Sequence, residues 1–196
     1  FENDVKWSNG AKFSYIHTDN MAAYFNLVSG SWLPEYSKTN HFIYKENIQA
    51  LYTSLDKRWK KLELKAGLRY EYTWYNGRQL GNAAVADSNF SRNYHGLFPT
   101  ILLSLQADSA NQFSITAGRR IERPPFQKLN PFQVVINKYT YLQGNPYFRP
   151  QYTWNTSVKY SYNSAFNASI DFNHLKDYAS QIFYKDSTGT IYYTDG

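Results

Sequence analysis

Charged and apolar side chains alternate in the stretch LELKAGLRYEYTW, residues 62–74. One parity is apolar throughout, and the other carries Glu63, Lys65, Arg69 and Glu71. Such a charged face could bind a polar ligand, pair internally or perform acid–base chemistry. The two carboxylates are eight residues apart on one extended segment, about 26 Å at strand spacing, which is too far for a paired-carboxylate catalytic site. Ligand binding and internal pairing both remain open.

Other catalytic signatures are missing from the sequence. The four histidines are His17, His41, His95 and His174, and no two of them have the i, i+4 spacing of a metal site. There is no P-loop, G-x-S-x-G elbow or H-E-x-x-H motif. The chain has no Cys, which excludes disulfides and thiolate metal sites. We therefore expect no catalytic residue, metal or cofactor, and no enzyme activity.

The composition favours β-structure and gives no sign of a nucleic-acid partner. Aromatic residues make up 19% of the 196 residues, and such side chains fit a pleated surface. The net charge is +6, but the basic residues form no run of five or six. Scattered charge of this kind is typical of solvated surface, so we expect no binding of nucleic acid.

Period-two alternation predicts an all-β fold of about seven long strands. The predicted strands cover residues 5–17, 42–55, 61–75, 96–107, 112–122, 151–162 and 165–184. Tight connections at 56–60, 108–111 and 163–164 alternate with long ones at 18–41, 76–95 and 123–150. In an antiparallel up-and-down meander, this order places all tight turns at one end of the sheet. Outer-membrane barrels have this arrangement, with short periplasmic turns and long extracellular loops.

The third predicted strand indicates a membrane environment. Thirteen residues reach about 40 Å, enough for a tilted strand to cross a hydrophobic band of about 25 Å. Its apolar face changes from aliphatic residues to an aromatic girdle of Tyr70, Tyr72 and Trp74. The sequence contains no run of about 18 apolar residues, so it predicts no membrane-spanning helix. The apolar face should therefore meet a lipid bilayer.

The charged face should then line the interior of a barrel. The predicted lumen-facing residues are Glu63, Lys65, Arg69, Glu71 and Arg120. Glu46 is ambiguous, because it shares parity with Ile48, Ala50 and Tyr52. It could lie above the hydrocarbon, or a bulge could turn it inward. Seven strands cannot close a bacterial single-chain barrel, so residues 1–196 should form part of a larger one.

A proline-rich and arginine-rich loop carries the most specific motifs. They read RRIERP at 119–124, LNPF at 129–132 and GNPYFRP at 144–150. The motif residues are Arg119, Arg120, Arg123, Pro124, Leu129, Asn130, Pro131, Phe132, Gly144, Asn145, Pro146 and Pro150. Prolines fix φ and remove donors, which favours a rigid extracellular cap, although direct ligand contact is the alternative.

These motifs resemble the outer membrane protein β-barrel family of TonB-dependent receptor-like proteins, a group typical of Bacteroidetes. KENIQALY at 45–52, AGLRYEYT at 66–73 and LFPTILLSL at 97–105 resemble further strands of that family in the same order. The resemblance implies a 22-stranded barrel in the outer membrane of a Gram-negative cell. It also implies a plug domain, absent from these residues, through which a TonB complex energises uptake of a scarce small ligand.

Two other functions remain open from the sequence. A soluble all-β module could use exposed Tyr and Trp residues to bind glycans. A passive porin or structural barrel could share the same strand architecture.

Overall fold

Long antiparallel strands dominate the computed structural model, which describes residues 5–137, 139–187 and 189–195. The strands are β1 (Val5–Ala22), β2 (Phe25–Val28), β3 (Ser31–Pro34), β4 (Asn40–Arg58), β5 (Leu62–Leu80), β6 (Ser88–Gln106), β7 (Asn111–Glu122), β8 (Gln133–Asn137), β9 (Thr140–Gln143), β10 (Gln151–Tyr162), β11 (Phe166–Lys176), β12 (Gln181–Lys185) and β13 (Ile191–Asp195). One short helix, α1 (Phe126–Leu129), lies in the described part of the chain. No helix among these residues is long and apolar enough to cross a membrane.

The main sheet has seven strands in the order β1-β4-β5-β6-β7-β10-β11. Each strand is antiparallel to its neighbours. The predicted up-and-down meander of seven long strands is therefore confirmed. Tight turns join β4 to β5, β6 to β7 and β10 to β11, and longer segments join the strands at the opposite end.

Several strands extend beyond their predicted ends on the long-loop side. β1 continues to Ala22, β5 to Leu80, and β6 begins at Ser88. The loop predicted over 76–95 is thus reduced to residues 81–87, because the backbones of β5 and β6 stay paired from Asn76 to Gln79. The last predicted strand, 165–184, was too long, since β11 ends at Lys176 and β12 joins a different sheet.

Two small sheets form from the long connections. The connection between β1 and β4 contains the β2–β3 hairpin, whose turn residues Ser29 and Gly30 have φ of 50° and 80°. β8 and β9 come from the loop between β7 and β10, and they share a four-stranded sheet with β12 and β13. The long-loop end of the sheet therefore has a folded superstructure that alternation alone did not predict.

Asp108 organises the turn between β6 and β7. Its Oδ1 accepts hydrogen bonds from the backbone N–H groups of Ala110 and Asn111, each at 2.8 Å. These donors, that of Ala110 first, hold the pKa of the Asp108 carboxyl below its ordinary value. The turn is connected to the next hairpin, because Tyr160 donates a 2.6 Å hydrogen bond to Asn111.

We predict a pH-dependent contribution of this turn to stability. A carboxyl with a lowered pKa stabilises the folded state fully above its unfolded pKa of about 3.9, and the contribution is lost as pH falls through the lower folded value. Asp108→Ala should therefore lower the thermal midpoint at neutral pH, and the difference from the parent should shrink below about pH 4. Ser109→Ala is the control. A difference that stays constant with pH would contradict this role for the carboxylate.

The register sorts the side chains of the main sheet onto two faces. On the charged face, Arg69 lies opposite Tyr52, and Glu71 lies opposite Ala50. On the apolar face, Leu64 lies opposite Leu103, and Leu68 opposite Pro99. Large apolar side chains of this second face are strongly exposed, including Phe13 (75%), Leu51 (61%) and Ile170 (78%). An apolar surface that runs across seven strands indicates a non-aqueous neighbour.

The register also settles the orientation of Glu46. It lies opposite Tyr75, on the same face as Glu71, and the pairing of β4 with β5 is continuous from His41 to Arg58. No bulge is needed to turn it inward. Ile48, Ala50 and Tyr52 share this charged face, so their apolar character misled the parity argument.

Candidate functional site

Four side chains on the charged face form a partly buried ion-pair cluster. Arg69 and Glu71 approach to 2.6 Å, and the guanidinium of Arg123 also contacts Glu71. Arg123 lies 4.0 Å from Glu46 and donates a 3.1 Å hydrogen bond to Thr73. The two carboxylate side chains are only about a tenth exposed. Each acid is therefore neutralised by an arginine in an environment with little water.

The charges nearer the tight turns also pair with each other. Lys65 lies 3.0 Å from Glu63 and 3.8 Å from Asp56, and Arg58 lies 2.9 Å from Glu63. These groups are more exposed than the cluster around Glu71. Glu63, Lys65, Arg69 and Glu71 thus share one face of the sheet, and internal pairing accounts for all four charges.

Arg119 and Arg120 take different environments. The Arg119 guanidinium lies over the rings of Phe98 and Tyr152, at 5.5 and 4.6 Å from their centroids. It also donates a 3.1 Å hydrogen bond to the carbonyl oxygen of Leu97. Arg120 is exposed and lies opposite Thr153. The structure therefore brings Arg119 together with the aromatic residues of the site. Arg120 keeps the parity of the charged face, because Thr153 shares the parity of Lys159 along β10.

The loop motifs hold one another together. Asn145 donates a 2.7 Å backbone hydrogen bond to Lys128, and its side chain accepts one from the backbone N–H of Tyr147. Asn130 caps α1 through its backbone N–H and accepts a 3.1 Å hydrogen bond from the N–H of Phe132. The carbonyl of Pro131 accepts from the side chain of Gln143 at 3.1 Å.

Gly144 allows the two halves of this loop to touch. A Cβ at this position would overlap the carbonyl oxygen of Asn130 and lie 2.8 Å from those of Gln127 and Lys128. Only glycine permits this backbone approach without displacement. The motif residues thus act first on the loop's own fold.

An aromatic cluster docks this loop onto the charged face. Leu129 is 1% exposed, and it packs with Phe148 of the same loop. The strand residues of this cluster are Phe42, Tyr44 and Tyr75. The ring of Phe126 lies 6.2 Å from that of Tyr44. The loop therefore folds back over the sheet. At the start of the loop, the guanidinium of Arg123 contacts Glu71 of the charged face.

A cleft of about 300 Å³ opens beside the docked loop. Its walls combine rings and cations, and include Tyr75, Arg92, Tyr94, Tyr147, Arg149 and Tyr152. The guanidinium of Arg92 lies 5.1 Å from the Tyr147 ring, which links β6 to the loop. Rings and guanidinium groups can hold a polar ligand that has a flat or apolar surface.

Sequence reasoning missed several residues of this site. Phe98, Tyr94 and Tyr152 lie beside the arginines, yet no motif distinguished them from the many other aromatic residues. The tight turn after β4 could have predicted which face Glu46 occupies. Once Arg58 is paired with Glu63 across this turn, the register of β4 and β5 is fixed, and it places Glu46 opposite Tyr75. Within the described residues, no group of three or more His, Asp or Glu could hold a metal ion.

Comparison with known families identifies this architecture. Residues 1–195 match the profile of the outer membrane protein beta-barrel family. The chain belongs to this family. Its predicted membership and its location in the Gram-negative outer membrane are thereby confirmed.

Two solved receptors share the fold of the chain. One is a double mutant of the Serratia marcescens hemophore receptor HasR in complex with its hemophore HasA and heme, with a TM-score of 0.62 and 12% identity over 97% of this chain and 37% of the receptor. The other is the siderophore receptor PiuA from Acinetobacter baumannii, with a TM-score of 0.59 and 10% identity over 97% of this chain and 31% of the receptor. No curated protein matches the sequence.

The extent of these matches agrees with a partial barrel. The chain spans about a third of the length of each receptor. At such low identity the likeness concerns the fold alone, and it confirms a segment of a larger transmembrane β-barrel. In outer-membrane barrels the apolar face of such a sheet meets the membrane, and tight turns are typical of the periplasmic end.

Proposed function

We propose that this chain forms part of a receptor barrel that takes up a scarce small ligand across the outer membrane. The charged face lines the lumen, and the long connections form the extracellular end. The ligand first meets the cleft beside the docked loop and then the charged lumen. In this proposal, a plug domain elsewhere in the protein transmits energy from a TonB complex.

The docking of the 123–150 loop against the charged face supports this proposal most directly. An open porin needs a wide aqueous lumen, whereas here aromatic side chains and an ion-pair cluster occupy the face assigned to the lumen. Leu129 and Phe42 are almost fully buried in that contact. A lumen narrowed at its outer end suits a receptor that admits a specific ligand.

Conductance separates the receptor from a porin. The full-length protein, reconstituted in planar bilayers with potassium chloride as the probe, should show no steady ion conductance. The complete reading frame should encode a plug domain before the barrel. Steady ohmic conductance of the full-length protein would instead support the passive porin. The outer-membrane location speaks against the soluble glycan-binding module.

A further inference from the structure

The turn between β4 and β5 concentrates positive charge. Residues 57–61 read Lys-Arg-Trp-Lys-Lys, with four cations in five residues. The other two tight turns differ, since residues 107–110 contain Asp108 and no cation, and residues 163–165 contain no charge. One periplasmic turn of the three is therefore distinctly basic.

Among the described residues, two of these cations have neither an ion pair nor a hydrogen-bond acceptor. Arg58 pairs with Glu63, and Lys61 donates a 2.6 Å hydrogen bond to the carbonyl of Ala107. Lys57 lies over the ring of Trp59, with its ammonium 4.8 Å from the centroid. Within the described part of the chain, neither Lys57 nor Lys60 forms an ion pair. Their charge is available to an external anion.

Lys57 also lies on the face that meets lipid. Its register partners are Val5 and Leu64, and both belong to the apolar face. A cation on this face is tolerated only where its ammonium reaches the headgroup layer. Tryptophan is a residue type that favours that layer. Trp59 lies at the turn, and Trp7, on the same face as Lys57, is 71% exposed.

The length of β5 also places this turn at the level of the headgroup layer. Ten residues separate Leu64, at the level of Lys57, from Trp74 in the outer aromatic girdle. That separation is about 33 Å along the strand, and a tilt of about 40° reduces it to about 25 Å across the membrane. This equals the height of the apolar band of an outer-membrane barrel. With Trp74 at the outer boundary, Lys57 lies at the inner one.

We propose that Lys57, Trp59 and Lys60 form a binding site for the anionic phosphate headgroup of a phospholipid in the periplasm-facing leaflet. The two ammonium groups contact the phosphate, and the indole ring lies at the level of the glycerol backbone. Each basic residue near an anionic membrane surface strengthens binding about fivefold. This site follows from the outer-membrane location and does not depend on ligand uptake.

Energy transfer from Trp59 to dansyl-labelled phosphatidylglycerol tests the site. The full-length protein is measured in detergent micelles, and the Trp59-dependent signal is the difference between each protein and its Trp59→Phe counterpart. Lys57→Gln and Lys60→Gln should each weaken the apparent affinity about fivefold, and the double variant about 25-fold. Added salt should reduce the transfer to labelled phosphatidylglycerol, whereas labelled phosphatidylcholine should bind weakly throughout.

Matched variants distinguish this site from general charge or folding effects. Lys12→Gln and Lys159→Gln remove equal charge from the charged face, opposite Ala50 and Ser114, and should leave transfer unchanged. Replacement of Lys57 and Lys60 by Arg should preserve binding, which a misfolded protein could not do. Equal binding of the two lipids, equal losses in the control variants, or displacement of the lipid by millimolar inorganic phosphate would overturn the proposal.

Discussion

Replacing Arg123 by Met is expected to release the 123–150 loop from the charged face. Arg123 contacts Glu71, and it also approaches Glu46 and bonds Thr73. Its loss leaves a carboxylate pair in a site that is about nine-tenths closed to solvent, with Arg69 as the remaining partner of Glu71. Removal of one member of a buried ion pair costs about 3–5 kcal/mol, and partial exposure of Arg123 places the expected loss near about 3 kcal/mol.

Hydrogen exchange measures this release locally. A loss of about 3 kcal/mol should raise the opening equilibrium of the loop about 100-fold, so amides in residues 126–148 should exchange about 100-fold faster. Amides in the paired middle of β5 should change little, because the strand ladder does not depend on Arg123. Limited proteolysis should find new cleavage sites within the same loop.

Two further variants separate charge from general damage. Arg120→Met removes an exposed arginine three residues away and should leave the exchange of the loop unchanged. Adding Glu71→Gln to Arg123→Met should recover part of the loss, because the uncompensated carboxylate is removed. Equal effects of Arg120→Met and Arg123→Met would contradict the assignment of Arg123 as the docking contact.

The predicted strand ends were wrong mainly on the extracellular side. Alternation of apolar and polar residues reports two different neighbours, lipid outside and water or protein inside. Beyond the membrane both faces of a strand meet water, so residues such as Asn76, Asn89 and Ser91 carry no alternating signal. The backbones nevertheless stay paired there. The pattern therefore defined the membrane-crossing part of each strand and missed its extension.

The aromatic surroundings of Arg119 have a local cause. Alternation along β7 placed Arg120 with Gln112 and Thr116 on the charged face. The β6–β7 ladder stops at Thr100 and Gly118, next to Pro99, which has no backbone N–H to donate. Beyond that point the Arg119 side chain bonds the carbonyl of Leu97 instead. A contact that depends on where a ladder ends cannot be read from residue spacing.

Placing Arg at position 68 should impair assembly of the barrel in membranes. Leu68 lies on the apolar face, is 44% exposed, and belongs to the central part of the span between Leu64 and Trp74. An arginine that faces lipid near the bilayer midplane costs about 2–4 kcal/mol, which reduces the folded-to-unfolded ratio at least about thirtyfold. Urea titration of the full-length protein in lipid vesicles, followed by heat-modifiable migration on gels, measures this loss.

Leu102→Arg is the matched control for the two faces. Leu102 lies opposite Lys65 and Thr116 on the charged face, so an arginine there enters the hydrated lumen and meets no lipid. The expected cost is below about 1 kcal/mol, mainly from the like charge of Lys65. The comparison of the two stability losses is decisive, because both variants replace leucine with the same cation. A larger loss for Leu102→Arg than for Leu68→Arg would mean that the faces are assigned the wrong way round, and lipid would then have to meet Arg69 and Glu71.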